Sequence, residues 1–234
     1  RVVDANRKWV PPAASGGSLY IRPLLFGSGP EVGLNPSDKY TFIVIVTPVG
    51  NYYKAGVKAI TAFVSEDYDR AAPRGTGSVK VAGNYAASLY PGHLAKERGY
   101  PIVLYLDSAE QKYIEEFGTS NFIGITSDRR YITPSSNAVL PSITNLSLMT
   151  IAEHAGFKVE QRTVPFADIS SFVEVGACGT AVVISPINKV VRGDRVYPIS
   201  DAEGFGPHLG ALYDHFKGIQ TGRMPDLWNW NLQV

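Results

Sequence analysis

The chain has a single cysteine, Cys178, among its 234 residues. No internal disulfide can brace it, and a lone thiol suits a reducing compartment such as the cytoplasm. Long apolar runs are missing as well. The longest, around Phe42 to Val46, is far short of the roughly 20 residues that a membrane-spanning helix needs. No excess charge of one sign is present. Lys and Arg total 22 against 21 Asp and Glu, a net +1, which gives no electrostatic reason to expect nucleic acid or an anionic membrane as partner. The opening residues, RVVDANRKWVPP, have neither the apolar core of a signal peptide nor an initiator methionine. They read as the interior of a longer protein, with this chain as its C-terminal part.

Several catalytic signatures are absent too. There is no His-Glu-x-x-His, no cysteine pair and no regular histidine spacing, so nothing points to a metal. His93, His154, His208 and His215 are scattered and are assigned to helix surfaces. No Gly-x-Ser-x-Gly elbow occurs. GTGSVKVAG (75–83) is rich in glycine but lacks the spacing of a nucleoside triphosphate loop.

What is present is an ordinary globular composition, 44% hydrophobic and 18% charged. SLYIRPLLF (18–26) and KYTFIVIVT (39–47) are β-branched and aromatic runs flanked by turn formers, and they predict two strands of a small sheet. A turn-rich stretch follows, giving a domain division at 1–49, a linker at 50–59 and a larger domain at 60–234. The larger domain has strand patterns at 57–64, 101–107, 121–126 and 179–185. Helical periodicity covers 84–98, interrupted by Pro91. It recurs at 143–155, with Leu146, Met149 and Ile151 on or near one face. A third helix, 207–220, sets Leu209, Leu212, Phe216 and Ile219 at the 3.6-residue period. Strands outnumber helices without alternating with them, which predicts an α+β fold with two sheets.

Chemistry could sit at several of these places. Lys80 stands among glycines, alanines and hydroxyls with no carboxylate near it in sequence. It is either a solvated loop lysine or an amine meant to lose its proton and attack a carbonyl. Tyr85, five residues on, either packs at a helix start or polarises a bound ring oxygen. In YIEEFGTSN (113–121) two adjacent carboxylates on a strand must point to opposite faces. Either both are exposed, or one of Glu115 and Glu116 is solvated while the other turns inward to a cationic partner. LPSITN (140–145) precedes a helix whose first N–H groups could attract phosphate, and GACGTAVV (176–183) offers further backbone N–H groups with the Thr180 hydroxyl. Tyr20 and Arg22 share one strand face, a natural pair for receiving a carboxylate, or else a core aromatic beside a surface arginine.

In order, GGSLYIRPLLFG, DYDRAAPRGTGSVKVAGNYAASLYPG, YIEEFGTSNF, LPSIT, GACGTAVVISP and LYDHFKGIQTGR resemble the branched-chain amino acid aminotransferases, fold type IV pyridoxal-phosphate enzymes. The resemblance covers essentially the whole chain. It implies that Lys80 holds pyridoxal 5'-phosphate as a Schiff base, which needs its amine neutral near pH 7 through partial desolvation and a cationic cofactor. It implies Glu116 on the pyridine nitrogen, Tyr85 on the ring oxygen, and Ile143, Thr144 and Thr180 around the phosphate. Thr119, Thr180 and Ala181 would lie near the substrate α-carboxylate. Tyr20 and Arg22 would reach the substrate from the neighbouring subunit of a homodimer. Arg70 falls at a family arginine near the cofactor loop. The implied reaction passes amino groups between leucine, isoleucine or valine and 2-oxoglutarate, giving branched-chain 2-oxo acids and glutamate.

The family's N-terminal segment, with a phosphate-binding arginine, has no counterpart here, so the isolated chain is expected to be poorly active. The cysteine pair of some animal relatives is also missing after Thr180. Alternatives are a D-amino acid aminotransferase or an aminodeoxychorismate lyase of the same fold, and a non-catalytic dimerisation module.

Overall fold

The computed structural model describes residues 1–50 and 56–233. It divides into two compact units, Arg1–Ala55 with Leu232–Val234, and Gly56–Asn231. The central part of the predicted linker, 51–55, lies outside the described residues.

The first unit opens with a short helix α1 (Val2–Ala5) and two 3-10 turns, then forms an antiparallel ribbon of β1 (Ser18–Gly27) and β2 (Tyr40–Val49). Its register sets Tyr20 opposite Thr47 and Arg22 opposite Ile45. Two strands alone cannot cover their own apolar side chains. Leu25 and Phe42, at 65% exposure each, and Leu24, Phe26 and Ile45 accordingly face solvent.

The second unit is built on a ten-stranded sheet. Its strands are β3 (Ile60–Val64), β4 (Ile102–Leu106), β5 (Tyr113–Phe117), β6 (Asn121–Thr126) and β7 (Arg130–Pro134). They continue with β8 (Lys158–Arg162), β9 (Val164–Pro165), β10 (Phe172–Gly179), β11 (Val183–Arg192) and β12 (Arg195–Pro198). The order β6-β10-β11-β3-β4-β5 returns to β6 through the β5–β6 pairing, so six strands close a ring. All six contribute to one packed cluster, including Val64, Leu104, Phe117, Phe122, Val175 and Ile187, and only the interior of the ring lets them meet. At Gly124 the Phe172 ring occupies the space a side chain would need.

Helices α2 (Ala82–Glu97), α3 (Ile143–His154) and α4 (Pro207–Gln220) complete the unit. Strand β6 alternates Phe122 into the ring with Ile123 and Ile125 outward, where α3 and α4 cover them. That two-sided burial leaves Asn121 through Ile125 all buried. On α4, Leu209, Leu212, Phe216 and Ile219 are the buried face that their spacing predicts. Helix α2 runs through Pro91, which is buried inside it. At that position the ring removes a helix N–H without ending the helix.

Two expectations need correction. The predicted strand 179–185 is a reversal: β10 ends at Gly179, β11 begins at Val183, and Val183 takes a left-handed φ of 65° at the turn. The inward face of α3 is Leu148, Ile151 and Ala152, with Leu146 exposed and Met149 half-buried. Buried polar residues Thr144 and Asn145 start that face, so a reading by hydrophobicity rotates it. Strands β7, β8 and β12 each begin on a charged residue, and no run of apolar residues announces them.

Glu174 shows how the sheet fixes α4. Its buried carboxylate accepts the N–H of His208 and of Leu209, each at 2.8 Å, in the first turn of the helix. Helix N-terminal N–H groups lack intrahelical partners, and an anion there also meets the positive end of the helix dipole. Glu174→Ala is expected to lower unfolding free energy by about 2 kcal/mol in urea titration, through two orphaned donors.

Candidate active site

The loop between β3 and α2 carries Lys80, and three contacts fix its path. Asn84, buried in the first turn of α2, donates to the carbonyls of Thr76 (2.7 Å) and Val79 (2.8 Å) and accepts from the Thr76 hydroxyl (2.8 Å). Gly77 packs so tightly on Ala138 that a Cβ there would overlap the Ala138 backbone. Arg70, 6% exposed, donates from Nη2 to the carbonyls of Gly77 (3.2 Å) and Ala138. The loop is thereby pressed against the segment that leads into α3.

Lys80 itself is exposed, with Nζ lying 5.1 Å from the centroid of the half-buried Tyr85 ring.

Glu115 and Glu116 are 4% and 3% exposed, so the expectation that at least one is solvated is corrected. The reason is a bulge in β5: Ile114 pairs with Leu106 and Phe117 with Leu104, so Glu115 and Glu116 together stand opposite Tyr105 and do not take opposite faces, and the 135–140 segment covers both carboxylates. Glu115 accepts from the Ser136 hydroxyl at 2.9 Å, and burial raises its pKa. Glu116 receives Arg70 Nη2 at 2.7 Å and the Leu140 N–H at 3.0 Å on Oε1. On Oε2 it receives Asn121 Nδ2 at 3.1 Å, which leaves that oxygen room for a further donor. Burial pushes Glu116 up to about 7, with the Arg70 guanidinium, the Leu140 N–H and the more distant Lys80 charge opposing it. The Arg70 Nε–H and the Tyr105 hydroxyl are buried without partners among the described residues. Burial drives the Tyr105 phenol to about 12.

Asn121 is the residue the sequence reading passed over. Its amide bridges Glu116 and the Leu140 carbonyl (2.8 Å), and its backbone pairs with both Glu116 and Cys178. The only signal was a polar residue heading an apolar strand. Through this pairing the turn after β5, with exposed Thr119, adjoins the β10–β11 turn, with exposed Thr180 and Ala181. A Cβ on Gly179 would lie 3.8 Å from Ser120 Cβ and 3.9 Å from the Thr119 carbonyl. Leu140 leads to Ser142, whose hydroxyl accepts the Asn145 N–H at 3.2 Å and caps α3. The N–H groups of exposed Ile143 and buried Thr144 meet no acceptor among the described residues.

Lys80, Tyr85, Arg70, Glu116, Thr119, Ile143, Thr144, Thr180 and Ala181 all belong to the second unit. Tyr20 and Arg22 belong to the first, where Arg22 Nη2 donates to the Tyr20 hydroxyl at 2.6 Å and its guanidinium lies 5.2 Å from the ring centroid. Cys178 is fully buried, and burial, aided by the Glu116 charge, pushes its thiol far up, so it is no nucleophile.

Two outcomes follow from this geometry. Between pH 4.5 and about 7 the folded chain keeps a proton on Glu116 that the unfolded chain releases, so stability falls as pH rises across that window. Glu116→Gln should flatten that slope in denaturant titrations at stepped pH, leaving only the part due to Glu115; an unchanged slope would place the proton elsewhere. Gly77→Ala should cost about 2 kcal/mol or more, because backbone rather than a flexible side chain must give way. Thermal unfolding measures it.

The model of the amino-transferase class IV family matches residues 1–190. The branched-chain-amino-acid aminotransferase of Helicobacter pylori is 44% identical over 235 residues, covering all of this chain and 68% of that protein. That of Haemophilus influenzae is 44% identical over 239 residues, covering all of this chain and 69% of that protein. Among solved structures, the Escherichia coli branched-chain amino acid aminotransferase superposes with a TM-score of 0.78 at 30% identity, covering 91% of this chain and 69% of that one. A T.th. branched-chain amino acid aminotransferase with pyridoxamine 5'-phosphate superposes at 0.80 with 26% identity, over 91% of this chain and 68% of that one. The chain spans about two thirds of these relatives and belongs to the class IV aminotransferases.

Proposed function

We propose that this chain carries the pyridoxal-phosphate site of a branched-chain amino acid aminotransferase, acting on leucine, isoleucine and valine with 2-oxoglutarate. The observation that carries the reading is Glu116: a buried carboxylate with one oxygen still open to a donor, within electrostatic reach of an exposed lysine.

The residues fit the cofactor. Lys80 supplies an amine that can reach a carbonyl, with Tyr85 beside it to meet the ring oxygen. Glu116 Oε2 can accept a protonated pyridine nitrogen, and that positive charge would draw the carboxyl to its ionised form. The uncommitted N–H groups of Ile143 and Thr144 at the start of α3, with the Thr180 turn, suit a phosphate. Arg70 holds Glu116 and the Lys80 loop in place beside the cofactor, with its Nε–H still uncommitted. Bound there, the cofactor supplies an electron sink for the α-carbon. Lys80 then takes and returns the α-proton of the amino acid, as a general base whose path is set by the 75–81 loop.

Thr119, Thr180 and Ala181 would receive the α-carboxylate. Tyr20 and Arg22, already joined by a hydrogen bond, would receive the distal carboxylate of 2-oxoglutarate or glutamate from the second subunit of a homodimer. Release of that arginine and phenol would let the same wall accept an apolar side chain. No helix among the described residues is long and apolar enough to cross a membrane. A buried free thiol fits a cytoplasmic enzyme.

Pyridoxal phosphate followed by borohydride should leave a stable phosphopyridoxyl group on Lys80 in a peptide map, and Lys80→Ala should leave none. Labelling at another lysine with Lys80 untouched contradicts the assignment. In the active enzyme L-leucine should react faster than D-alanine, and the reverse order would move the chain to the D-amino acid branch.

A further inference from the structure

The first turn of α3 is anchored by a buried polar chain that the site described above does not use. Tyr131 on β7 is fully buried and donates its hydroxyl to Asn145 Oδ1 at 2.6 Å. Asn145 Nδ2 donates to Thr133 Oγ1 at 3.1 Å, and Thr133 Oγ1 donates to the Phe122 carbonyl on β6 at 2.8 Å. Tyr131, Asn145 and Thr133 are 0%, 6% and 1% exposed. Burying such groups costs free energy unless each is bonded, and here every link has its partner. Burial also drives the Tyr131 phenol well above its usual range, which keeps it a donor at any working pH.

The same asparagine also takes part in the helix cap. Its own N–H turns inward to Ser142 Oγ, while the N–H groups of Ile143 and Thr144 are left without acceptors among the described residues. An aliphatic side chain in place of Asn145 would fill the inward face of α3 as Leu148 does one turn later. A polar chain that runs from helix to sheet fixes position where an apolar contact would allow sliding.

We propose that Asn145, locked by Tyr131 and Thr133, is a positioning residue that holds the Ile143 and Thr144 N–H groups at the phosphate end of the cofactor site. It touches no ligand, and the inference rests on the reading that phosphate seats at the start of α3.

The test compares pyridoxal phosphate with pyridoxal, which lacks the phosphate, in wild type and in the near-isosteric variants Tyr131→Phe and Thr133→Val. Inorganic phosphate serves as competitor. Dissociation constants come from imine absorbance, and circular dichroism checks folding. The variants should lose at least about tenfold in affinity for pyridoxal phosphate, with pyridoxal affinity unchanged. Phosphate should compete less well in them. Asn145→Ala should show the same selective loss; should it fail to fold, the two isosteric variants decide. A wild-type preference for the phosphate form that survives intact in both variants overturns the inference alone. Equal loss for both ligands also overturns it, since that marks general loosening. A wild type that binds both ligands equally and ignores inorganic phosphate overturns the phosphate seat and the inference together.

Discussion

A buried ion pair organises the second unit. Arg70 and Glu116 meet at 2.7 Å with almost no solvent access. Their desolvation is expensive, and their attraction compensates only because other groups finish the job. Leu140 and Asn121 complete the carboxylate, and Gly77 and Ala138 accept from the guanidinium. These partners come from the Lys80 loop, from the approach to α3 and from the head of β6. Three segments that are remote in sequence are thus bound to a single charge pair, and each presents one part of the candidate site.

The closed ring of strands makes that pair possible. With β5 paired to both β4 and β6, Ser136, Leu140, Asn121 and Arg70 close over its carboxylates, and burial carries Glu116 to about 7. A group poised near neutrality responds strongly to an arriving positive charge. The same enclosure that packs Phe117 and Phe122 inside the ring therefore prepares the carboxylate on the strand's other face.

Much of this was legible in sequence where one physical rule dominated. The period of α4 gave its buried face, and the β-branched and aromatic run 18–26 gave β1. Tyr20 and Arg22 were read as neighbours from strand alternation alone, and they are hydrogen-bonded. The reading failed where two rules competed. Residues 179–185 have a strand composition but reverse at Thr180, because pairing of Gly179 with Val183 closes a hairpin there. On α3 the inward face begins with Thr144 and Asn145, so apolar periodicity pointed to Leu146 instead of Leu148. Asn121 and Asn84 act through bonds to carbonyls of other segments, and no local pattern announces such contacts.

The central claim is that Arg70 and Glu116 act as a charged unit, and a double-mutant cycle with Arg70→Met and Glu116→Gln measures it most directly. Near about pH 8, where Glu116 is ionised, the cycle should give a coupling energy of about 1–3 kcal/mol. Near about pH 5, where the carboxyl holds its proton, the coupling should shrink toward zero. Additive effects at both pH values would contradict the account.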